Sequence, residues 1–582
     1  MIYLGRDGVD RIRRLASSDP WVQSVAAEVL QRTDALHQVP LIERKFEAGR
    51  KVMLPTSREL AERVHTLGMA WFLTGQRQHS RRLLDELTAA AGFPDWNSEH
   101  FLDTAEMMAA VALGRDWLGE TLVASQRDVI DQAILRHGLI PALQALRDKA
   151  FWTTADNNWN IVCCGGSIVA AIALRSAQPQ LCAEVIDLAS EAMLRGMSGY
   201  APDGGYVEGA GYWEYATRYA AFAIAALEEA GLDSRHLGAS PGLASTWRFG
   251  RHLTGPSGLV FDYGDNLPEA IRCPALGWLA QKSGESAAAD WQRKAPGPLH
   301  PFDLIWYQPT ASSVEQRASA TFAKAGVATL LDPNEASGLF IAVKGGDNSV
   351  NHAHLDLGTF VLDAKGERFI SDLGRDDYAL PGYFDLDRRF SYLRTGTLGH
   401  NTIVVDGRNQ SVAASATQPV SRSDAGFSAV GFMINDPDSP CLVNRAVALV
   451  PGSYVAVVDD VRPRHTGADI LADWRIHTKA DVTCHGMEAT LRLGSAELKL
   501  RLVASFPASF EEEAVPTPPG EADNSDFTRV LARFVVPPEG VRMAVVFHPE
   551  ALGVDHFASQ LATLHAWLDG INRQDASSKA GT

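Results

Sequence analysis

The spacing of apolar residues divides the chain into two halves of different character. Over residues 1 to about 300, apolar positions recur every three or four residues, which is the period of amphipathic helices. Short turns with Gly, Pro, Asp or Asn separate these segments, and strand-like alternation is hard to find. Such a succession is typical of stacked helical hairpins, and the lack of a fixed-period repeat favours an α/α toroid over a solenoid. The clearest predicted helices are Arg58–Thr74, Ser80–Ala91, Leu102–Leu118, Ser125–Leu146 and Tyr215–Ala230, with a buried helix at Ile161–Leu174.

The second half alternates apolar and polar residues in short runs. It follows a Pro- and Ser-rich linker at residues 296–313. We predict an α+β multidomain protein, with an α/α toroid at residues 1–310, an antiparallel β-sandwich at 311–582, and a disordered tail at Asn572–Thr582. The predicted strands are Val327–Leu331, Gly338–Lys344, Gly358–Asp363, Asn401–Val405, Ala446–Val450, Tyr454–Asp459, Ala489–Leu493, Leu498–Leu502 and Arg542–Phe547.

Composition narrows the class of protein and of partner. The chain has 582 residues, 46% of them hydrophobic, and no run of 18 or more apolar residues, so we expect a globular protein without a membrane partner. The net charge of −17 argues against nucleic acid and anionic membranes. The first residues show no secretory signal, which predicts a cytoplasmic location, with the periplasm as the alternative for a trimmed sequence. Oligomeric state is left open, a homodimer included. The following cysteines show no CxxC spacing and are expected to be buried free thiols: Cys163, Cys164, Cys182, Cys273, Cys441 and Cys484.

The main candidate for chemistry is the motif at residues 351–358, Asn-His-Ala-His-Leu-Asp-Leu-Gly. In an extended chain, residues two apart face the same side, so His352 and His354 would project together. Paired imidazoles hold a metal, or one holds a metal while the other transfers protons; a solvated strand edge is the alternative. A hairpin through the turn at 364–367 would return Asp372 towards His354, and His400 precedes another strand-like run.

Two further stretches suit a sugar site. Asn157, Asn158, Trp159 and Asn160 follow Asp156 at the start of a helix, where a cap by Asp156 or Asn157 explains one polar residue but not all four. Carboxamides donate to carboxylates and hydroxyls, and an aromatic face covers a pyranose. The second stretch is the Gly-rich loop at residues 202–215, in which an exposed phenol at Tyr212 is a better candidate than Tyr219 on a helix face.

A third loop carries the arginines nearest the histidines in the sequence. Arg388 and Arg394 follow Tyr383 there. This loop either is simply solvated or recognises a substrate carboxylate or sulfate through guanidinium forks. A net acidic protein acting on an acidic sugar needs such a locally basic cleft, and should favour short oligomers over long polyanions.

These motifs, taken in order, resemble the heparinase II/III-like polysaccharide lyases, which include related oligoalginate lyases. The motifs are residues 157–160, 203–215, 351–358, 371–374 and 399–402, and the resemblance extends over about residues 60–560. It implies a toroid followed by a β-sandwich, a structural zinc ion on His354, Asp372 and His400, and catalytic roles for Tyr212, His352 and Asn158. The expected substrate-binding residues are Asn157, Trp159, Asn160, Tyr206, Glu208, Tyr219, Tyr383, Arg388 and Arg394.

The implied reaction is β-elimination of an acidic oligosaccharide or polysaccharide, giving an unsaturated uronyl end. A base removes the C5 proton, an acid protonates the departing oxygen, and amides offset the carboxylate charge. Alginate-acting relatives often carry His where Asn158 stands, which shifts weight to glycosaminoglycan-like or other uronates. Two alternatives stay open: a glycoside hydrolase using Asp203 and Glu208 on uronate oligosaccharides, and a non-catalytic carbohydrate-binding protein.

Overall fold

A computed structural model describes residues 1–5, 7–309, 317–333, 338–424, 426–465, 469–504, 506–549 and 561–568. The chain divides into two compact units. The first comprises Met1–Gly204, Tyr212–Arg248 and Arg272–Val314, and the second comprises Gly205–Gly211, Phe249–Ile271 and Glu315–Thr582. The predicted tail at 572–582 lies outside the described residues.

The first unit is helical, as its periodicity predicts. Its helices are α1 (Gly8–Ser18), α2 (Pro20–Leu36), α3 (Leu54–Thr74), α4 (Arg77–Ala91), α5 (Phe101–Leu118), α6 (Ala124–Ala133), α7 (Ile140–Arg147), α8 (Phe151–Thr154), α9 (Asn158–Leu174), α10 (Pro179–Met197), α11 (Ala210–Glu229), α12 (Arg235–Gly238), α13 (Trp247–Leu253), α14 (Leu276–Ser283), α15 (Ser286–Lys294) and α16 (Phe302–Ile305). Local signals set several ends. Asp19 caps α2 by accepting from the amides of Trp21 and Val22, and α3 ends at Gly75, whose φ is 69°.

The predicted single helix Ser125–Leu146 is wrong in one respect. A π-helical turn, Ile134–Leu139, separates α6 from α7. Pro141 follows that turn and has no backbone N–H to donate, so the regular ladder cannot pass through it unbroken. The predicted linker also contains the helical turn α16.

Helices α5 and α9 form the centre of the first unit and are buried on nearly all sides. Gly165 and Gly166 on α9 make close packing feasible. A Cβ on Gly166 would lie 2.4 Å from the carbonyl oxygen of Ala105, and one on Gly165 would lie 2.8 Å from that of Tyr219. The predicted buried helix at Ile161–Leu174 is therefore confirmed, and its glycines bring α5 and α11 against it.

The second unit consists mainly of antiparallel sheets, together with most of α13, the helical turn α17 (Leu386–Arg389) and a helix at residues 561–568. The strands are β1 (Ala320–Phe322), β2 (Val327–Leu331), β3 (Phe340–Lys344), β4 (Phe360–Ala364), β5 (Glu367–Ile370), β6 (Ile403–Val405), β7 (Ser415–Ala416), β8 (Val420–Asp424), β9 (Phe427–Asn435), β10 (Cys441–Val450), β11 (Tyr454–Pro463), β12 (Ile470–Thr478), β13 (Asp481–His485), β14 (Glu488–Leu493), β15 (Ala496–Ala504), β16 (Glu511–Ala514), β17 (Thr528–Val536) and β18 (Val541–His548). A five-stranded sheet has the order β1-β2-β3-β4-β5. A nine-stranded sheet has the order β13-β14-β15-β18-β11-β10-β9-β7, with β8 also paired to β9, and a four-stranded sheet has the order β16-β17-β12-β6.

Residues 249–271 precede the predicted boundary at 310 but pack with these sheets. Arg368 on β5 donates to the carbonyl oxygens of Leu259 and Val260 at 3.0 and 3.1 Å, and the Ser257 hydroxyl donates to Asp363 at 2.6 Å. This second-unit segment carries the turn at 261–266 described below. The predicted fold class, helices followed by antiparallel sheets, is confirmed.

Two predictions from composition can be compared with the structure. No described helix combines the length and apolarity needed to cross a bilayer. All six cysteines are free thiols, and five are buried as predicted, while Cys484 on β13 is partly exposed.

Candidate active site

The histidine motif lies on an irregular loop between β3 and β4. Its residues form turns, and His352 has a φ of 60°. The predicted extended conformation is therefore wrong. The loop is fixed by the turn at 261–266, because the amide of Asp265 donates to the carbonyl oxygen of His352 at 3.0 Å. Gly264 permits this approach: its φ is 62°, and a Cβ there would lie 2.7 Å from the same oxygen.

The two imidazoles nevertheless meet, at the carboxylate of Asp265. Nδ1 of His352 lies 2.8 Å from Oδ2, and Nε2 of His354 lies 2.9 Å from Oδ1. The hydroxyl of Tyr383 donates to Oδ1 at 2.6 Å, and Nη2 of Arg389 lies 2.8 Å from the same oxygen. Four donors around one buried carboxylate hold it, and both histidines, in a fixed orientation.

These contacts determine which ring nitrogens carry protons. Burial alone would raise the pKa of Asp265, but hydrogen bonds from His352 and His354 and the charge of Arg389 hold it well below its usual range. An ionised carboxylate only accepts hydrogen bonds, so Nδ1 of His352 and Nε2 of His354 both donate. In neutral His352 the lone pair is then on Nε2. That nitrogen is suited to accept a proton as a general base.

Asp265 and Arg389 are candidate site residues that the sequence motifs did not indicate. A polar turn such as that at 261–266 fits either the lining of a cleft or the end of a helix, so the sequence alone does not single out Asp265. Arg389 lies between the predicted Arg388 and Arg394, and it differs from them by being buried against Asp265 and the carbonyl oxygen of Ala353, 2.9 Å away. Only the fold shows which of several acids and arginines meet the histidines.

The predicted zinc ligands His354, Asp372 and His400 are all buried in the second unit. Nδ1 of His400 lies 2.8 Å from Oδ2 of Asp372, and the rings of His354 and His400 are 5.3 Å apart. The predicted hairpin is confirmed as β4–β5, with Asp372 two residues beyond it. Burial opposes charge on both, yet His400 lowers the pKa of Asp372 and Asp372 raises that of His400.

Two imidazoles and a carboxylate are donor groups of the kind that bind zinc. Within the described part of the chain, Nδ1 of His354 and Nε2 of His400 are buried without a hydrogen-bond partner. Unpartnered buried imidazole nitrogens beside a carboxylate are what a zinc site requires. Among the described residues, however, the ligand atoms of these three side chains do not all lie within 4.8 Å of one another. Zinc binding therefore stays a prediction.

A further buried carboxylate, Asp262, lies beside this group. Neither of its oxygens has a hydrogen-bond partner among the described residues. Burial, and then the charge of Asp372, raise its pKa. A buried carboxylate without donors is costly, and a cation here would offset that cost. Asp262 is thus a candidate ligand that the sequence motifs did not indicate.

Glu62, His65 and His300 in the first unit do lie with their ligand atoms within 4.8 Å of one another. Their hydrogen bonds argue against a metal centre. Nδ1 of His300 accepts from the amide of Phe302 at 3.2 Å, so in neutral His300 the proton is on Nε2, which faces Glu62 at 3.5 Å. A metal on Nε2 would displace that proton and disrupt the bond from Phe302. The arrangement suits an internal His–Glu pair.

The polar residues at the start of α9 have separate roles. The side chain of Asn157 caps the helix by accepting from the amide of Trp159 at 3.1 Å. Asn160 is fully buried: its Nδ2 donates to Trp152 and Ala192, and its Oδ1 accepts from the amide of Gly196. Asn158, the first residue of α9, is 1% exposed. Asn157 and Asn160 therefore hydrogen-bond to the protein backbone, and their contacts with substrate stay predictions.

The indole of Trp159 packs within the same unit. Its ring centre lies 4.9 Å from that of His100 and 5.0 Å from that of Phe151. The residue remains partly exposed. Packing against two rings orients the indole, and its predicted contact with a sugar is untested.

The Gly-rich loop contributes residues to both units. In the second, Glu208 is 2% exposed and accepts from Nδ2 of Asn351 at 2.6 Å, while Tyr206 is buried. In the first, Tyr212 is partly exposed in the first turn of α11, and Tyr219 is buried two turns further along the same helix. The predicted loop position of Tyr212 is therefore wrong, because α11 already begins at Ala210, but Tyr212 is more exposed than Tyr219 as expected. The contact of Glu208 ties the loop to the histidine motif.

The two predicted arginines differ in availability. Arg388 is exposed. Arg394 is largely buried and donates to Oδ1 of Asn524 at 2.8 Å and to the carbonyl oxygens of Asp523 and Arg375. Its guanidinium is occupied within the fold, as is the hydroxyl of Tyr383 at Asp265. Of the three, Arg388 alone has a guanidinium or hydroxyl open to solvent.

Residues 315–523 match the protein family described as heparinase II/III-like, C-terminal. This part of the chain is a heparinase II/III-like domain. The domain contains His352, His354, Asp372, Arg389 and His400, the residues that converge in the second unit. The family resemblance predicted from the motifs is confirmed.

Solved structures similar to this chain extend beyond the heparinase II/III-like domain. A structure titled heparinase III matches at 12% identity with a TM-score of 0.62, covering 95% of this chain and 94% of that one. The heparan sulfate lyase HepC from Pedobacter heparinus matches at 13% identity with a TM-score of 0.58, covering 95% and 92%. At these identities the likeness establishes the fold. No curated protein matches the sequence.

Proposed function

We propose that the protein is a polysaccharide lyase that breaks uronate-containing polysaccharides or oligosaccharides by β-elimination. The observation that carries this proposal is the pairing of His352, which lies in the heparinase II/III-like domain, with Asp265. The pair holds an imidazole whose Nδ1 donates to the carboxylate, so that in neutral His352 the basic lone pair is on Nε2. Neighbours of the same fold carry the names heparinase III and heparan sulfate lyase, which agrees with an acidic polysaccharide as the substrate.

The reaction needs a base, an acid and neutralisation of charge. Nε2 of His352 removes the proton on C5 of the uronate, and the electrons form the C4–C5 double bond as the bond from C4 to the glycosidic oxygen breaks. Tyr212 gives its proton to that oxygen. The amide of Asn158 donates to the uronate carboxylate, whose charge density grows as the C5 proton leaves. The assignments of Tyr212 and Asn158 rest on the family resemblance and on Tyr212 being partly exposed.

Tyr212 is also a candidate base, since a uronate of opposite C5 configuration presents its proton from the other face. A free phenol has a pKa of about 10, so this role would require tuning by its surroundings. His352 instead has a fixed orientation, because its Nδ1 lies 2.8 Å from Oδ2 of Asp265. We therefore assign the base to His352.

We also propose that His354, Asp372 and His400 hold a zinc ion. When bound, the ion supplies positive charge that stabilises buried carboxylates and pins the loops that carry its ligands. His352 lies on the same loop as His354, so zinc bound to His354 would hold the proposed base in position indirectly. The substrate class we favour is a glycosaminoglycan-like uronate, because Asn158 replaces the His common in alginate-acting relatives.

The hydrolase alternative is not favoured. It requires Glu208 as one of two working carboxylates. Glu208 is buried and binds Asn351, so it supports the histidine loop.

The test is to incubate the protein with a panel of uronate oligosaccharides and to follow ultraviolet absorbance from unsaturated uronyl ends. We expect new absorbance with at least one uronate, and its loss in the His352→Ala variant. Tyr212→Phe, which keeps the ring, should lower turnover roughly 100-fold or more. Cleavage that yields only saturated products would refute the proposal.

A further inference from the structure

Two arginines of the first unit, Arg58 on α3 and Arg218 on α11, flank the same aromatic ring. Their guanidinium carbons lie 5.0 Å and 5.7 Å from the ring centre of Tyr215. A guanidinium at this distance is attracted by the electrons of the ring face. The buried ring thus brings two positive groups to one place.

Each arginine is oriented through its Nε edge. Nε of Arg58 lies 3.4 Å from Oε1 of Glu106, and Nε of Arg218 lies 3.3 Å from Oε1 of Glu214. Glu214 precedes Arg218 by one helical turn, a spacing at which side chains on α11 meet. The carboxylates therefore steer both guanidiniums from the same edge.

Glu106 is itself held independently of Arg58. The hydroxyl of Ser57 donates to its Oε2 at 2.7 Å, and the hydroxyl of Tyr215 donates to its Oε1. The buried carboxylate is thus satisfied by two neutral donors. Substitution of Arg58 leaves those donors in place, which makes the position suitable for a test.

The outer edges of both guanidiniums remain available. The ion pairs that Arg58 and Arg218 form with Glu106 and Glu214 run through Nε. The side chain of Arg58 is 52% exposed and that of Arg218 is 23% exposed. Planar N–H forks of this kind match the two oxygens of a carboxylate or sulfate.

An acidic substrate makes such a pair necessary. The chain has a net charge of −17, so an anionic sugar must find local positive charge. The guanidinium of Arg394, which was predicted for that role, donates instead to Asn524 and to the carbonyl oxygen of Asp523. The guanidiniums of Arg58 and Arg218 are partly exposed.

We propose that Arg58 and Arg218 form an anion-binding subsite that holds an acidic group of a sugar chain, a carboxylate or a sulfate. This rests on the proposed function and deepens it by assigning residues of the helical unit to substrate charge. The subsite binds and positions the substrate without exchanging a proton with it.

The experiment measures binding by calorimetry in the full chain carrying His352→Ala, so that the ligand is not consumed. The ligands are a sulfated uronate oligosaccharide, its desulfated form, its carboxyl-reduced form, and the form that is both desulfated and carboxyl-reduced. Arg58→Gln and Arg218→Gln remove the charge, while Arg58→Lys and Arg218→Lys keep the charge without the fork. Arg147→Gln is the matched control, because Arg147 is an exposed arginine of the same unit that pairs with Glu184.

We expect each Gln variant to bind the acidic oligosaccharide at least 10-fold more weakly, with a smaller loss in the Lys variants and none in Arg147→Gln. Loss confined to ligands that retain sulfate identifies sulfate as the bound group, and loss confined to those that retain carboxylate identifies carboxylate. Unchanged affinity in both Gln variants, or equal loss for a ligand stripped of both acidic groups, would overturn the subsite. Melting temperatures show whether a variant is folded, and the Lys variants carry the test if a Gln variant is not.

Binding and product analysis separate this inference from the proposed function. If the arginines are needed for binding but the active protein forms saturated products, the subsite stands and the lyase fails. If unsaturated products form while the Gln variants bind normally, the lyase stands and the subsite fails.

Discussion

The loop around His352 and the start of α9 at residues 157–160 are both dense in polar residues, yet they use them differently. In the loop, side chains bind one another: two imidazoles, a phenol and a guanidinium surround Asp265. At the helix start, Asn157 and Asn160 bind backbone groups. A cluster of the first kind fixes side-chain orientation and the tautomer of His352, which in the neutral ring puts the lone pair on Nε2. A cluster of the second kind fixes the chain, so substitutions in the two should fail in different ways.

The largest effect is expected for Asp265→Asn. The amide keeps the shape but is neutral, and it no longer requires Nδ1 of His352 to donate. By analogy with other buried carboxylate–histidine pairs, turnover should fall by roughly 10³- to 10⁴-fold. The measurement is the initial rate of unsaturated product formation, compared with Asp387→Asn, which changes an exposed acid in the same unit. If Asp265→Asn retained a tenth of the activity, the carboxylate would have a purely structural role. The histidine loop would then not differ from the start of α9 in the way described above.

Removal of zinc should come next, and it should affect stability more than chemistry. We expect about one zinc ion per chain in protein purified without added metal. His354→Ala should abolish it, and a chelator should lower the melting temperature of the wild type but not of the variant. His485→Ala, at an exposed position on β13, is the control.

Asp262→Asn sharpens the zinc test, because it removes a carboxylate without hydrogen-bond donors. Weaker zinc binding in this variant would make Asp262 a ligand. Absence of metal from the wild type, with an unchanged melting temperature in His354→Ala, would show that the histidines form only an internal network.

The sequence predicted architecture better than it predicted contacts. All nine predicted strands coincide with observed strands, because apolar alternation reports burial directly. Strands β12 and β17 were missed, since charged residues such as Arg475 and Arg533 interrupt their apolar runs. The π-helical turn before Pro141 was missed because the apolar period continues through it.

The site was predicted in residue types but not in geometry. The histidines were identified, yet the reason given, an extended strand, was wrong, since the left-handed turn at His352 depends on Gly264 and Asp265 nearly 90 positions earlier. No local pattern reports such a contact. For the same reason, buried Arg389 and its exposed neighbour Arg388 look alike in the sequence.

Asn160→Ala should be the most damaging change at the start of α9. It leaves buried backbone groups of Trp152, Ala192 and Gly196 without their partners. Each unmade buried hydrogen bond costs about 1–3 kcal/mol, so we expect the three together to lower the free energy of unfolding by roughly 3 kcal/mol or more. Denaturant titration measures it. A stable variant with impaired turnover would place Asn160 in the substrate site and erase the contrast with the loop.

The smallest effect, and the finest test of the contrast, is expected at Asn157. Its Oδ1 caps α9, while Nδ2 makes no hydrogen bond in the described structure. Asn157→Ala should lower the free energy of unfolding by about 1 kcal/mol, the usual value of a cap, and Asn157→Ser should restore it, because a hydroxyl also caps. Neither residue replaces the amide N–H. If Nδ2 contacts substrate as predicted, both variants should raise KM roughly 3- to 10-fold, the value of one hydrogen bond. A KM that recovers with stability in Asn157→Ser would mean that Asn157 serves the backbone alone, which would make the helix start wholly structural at this position.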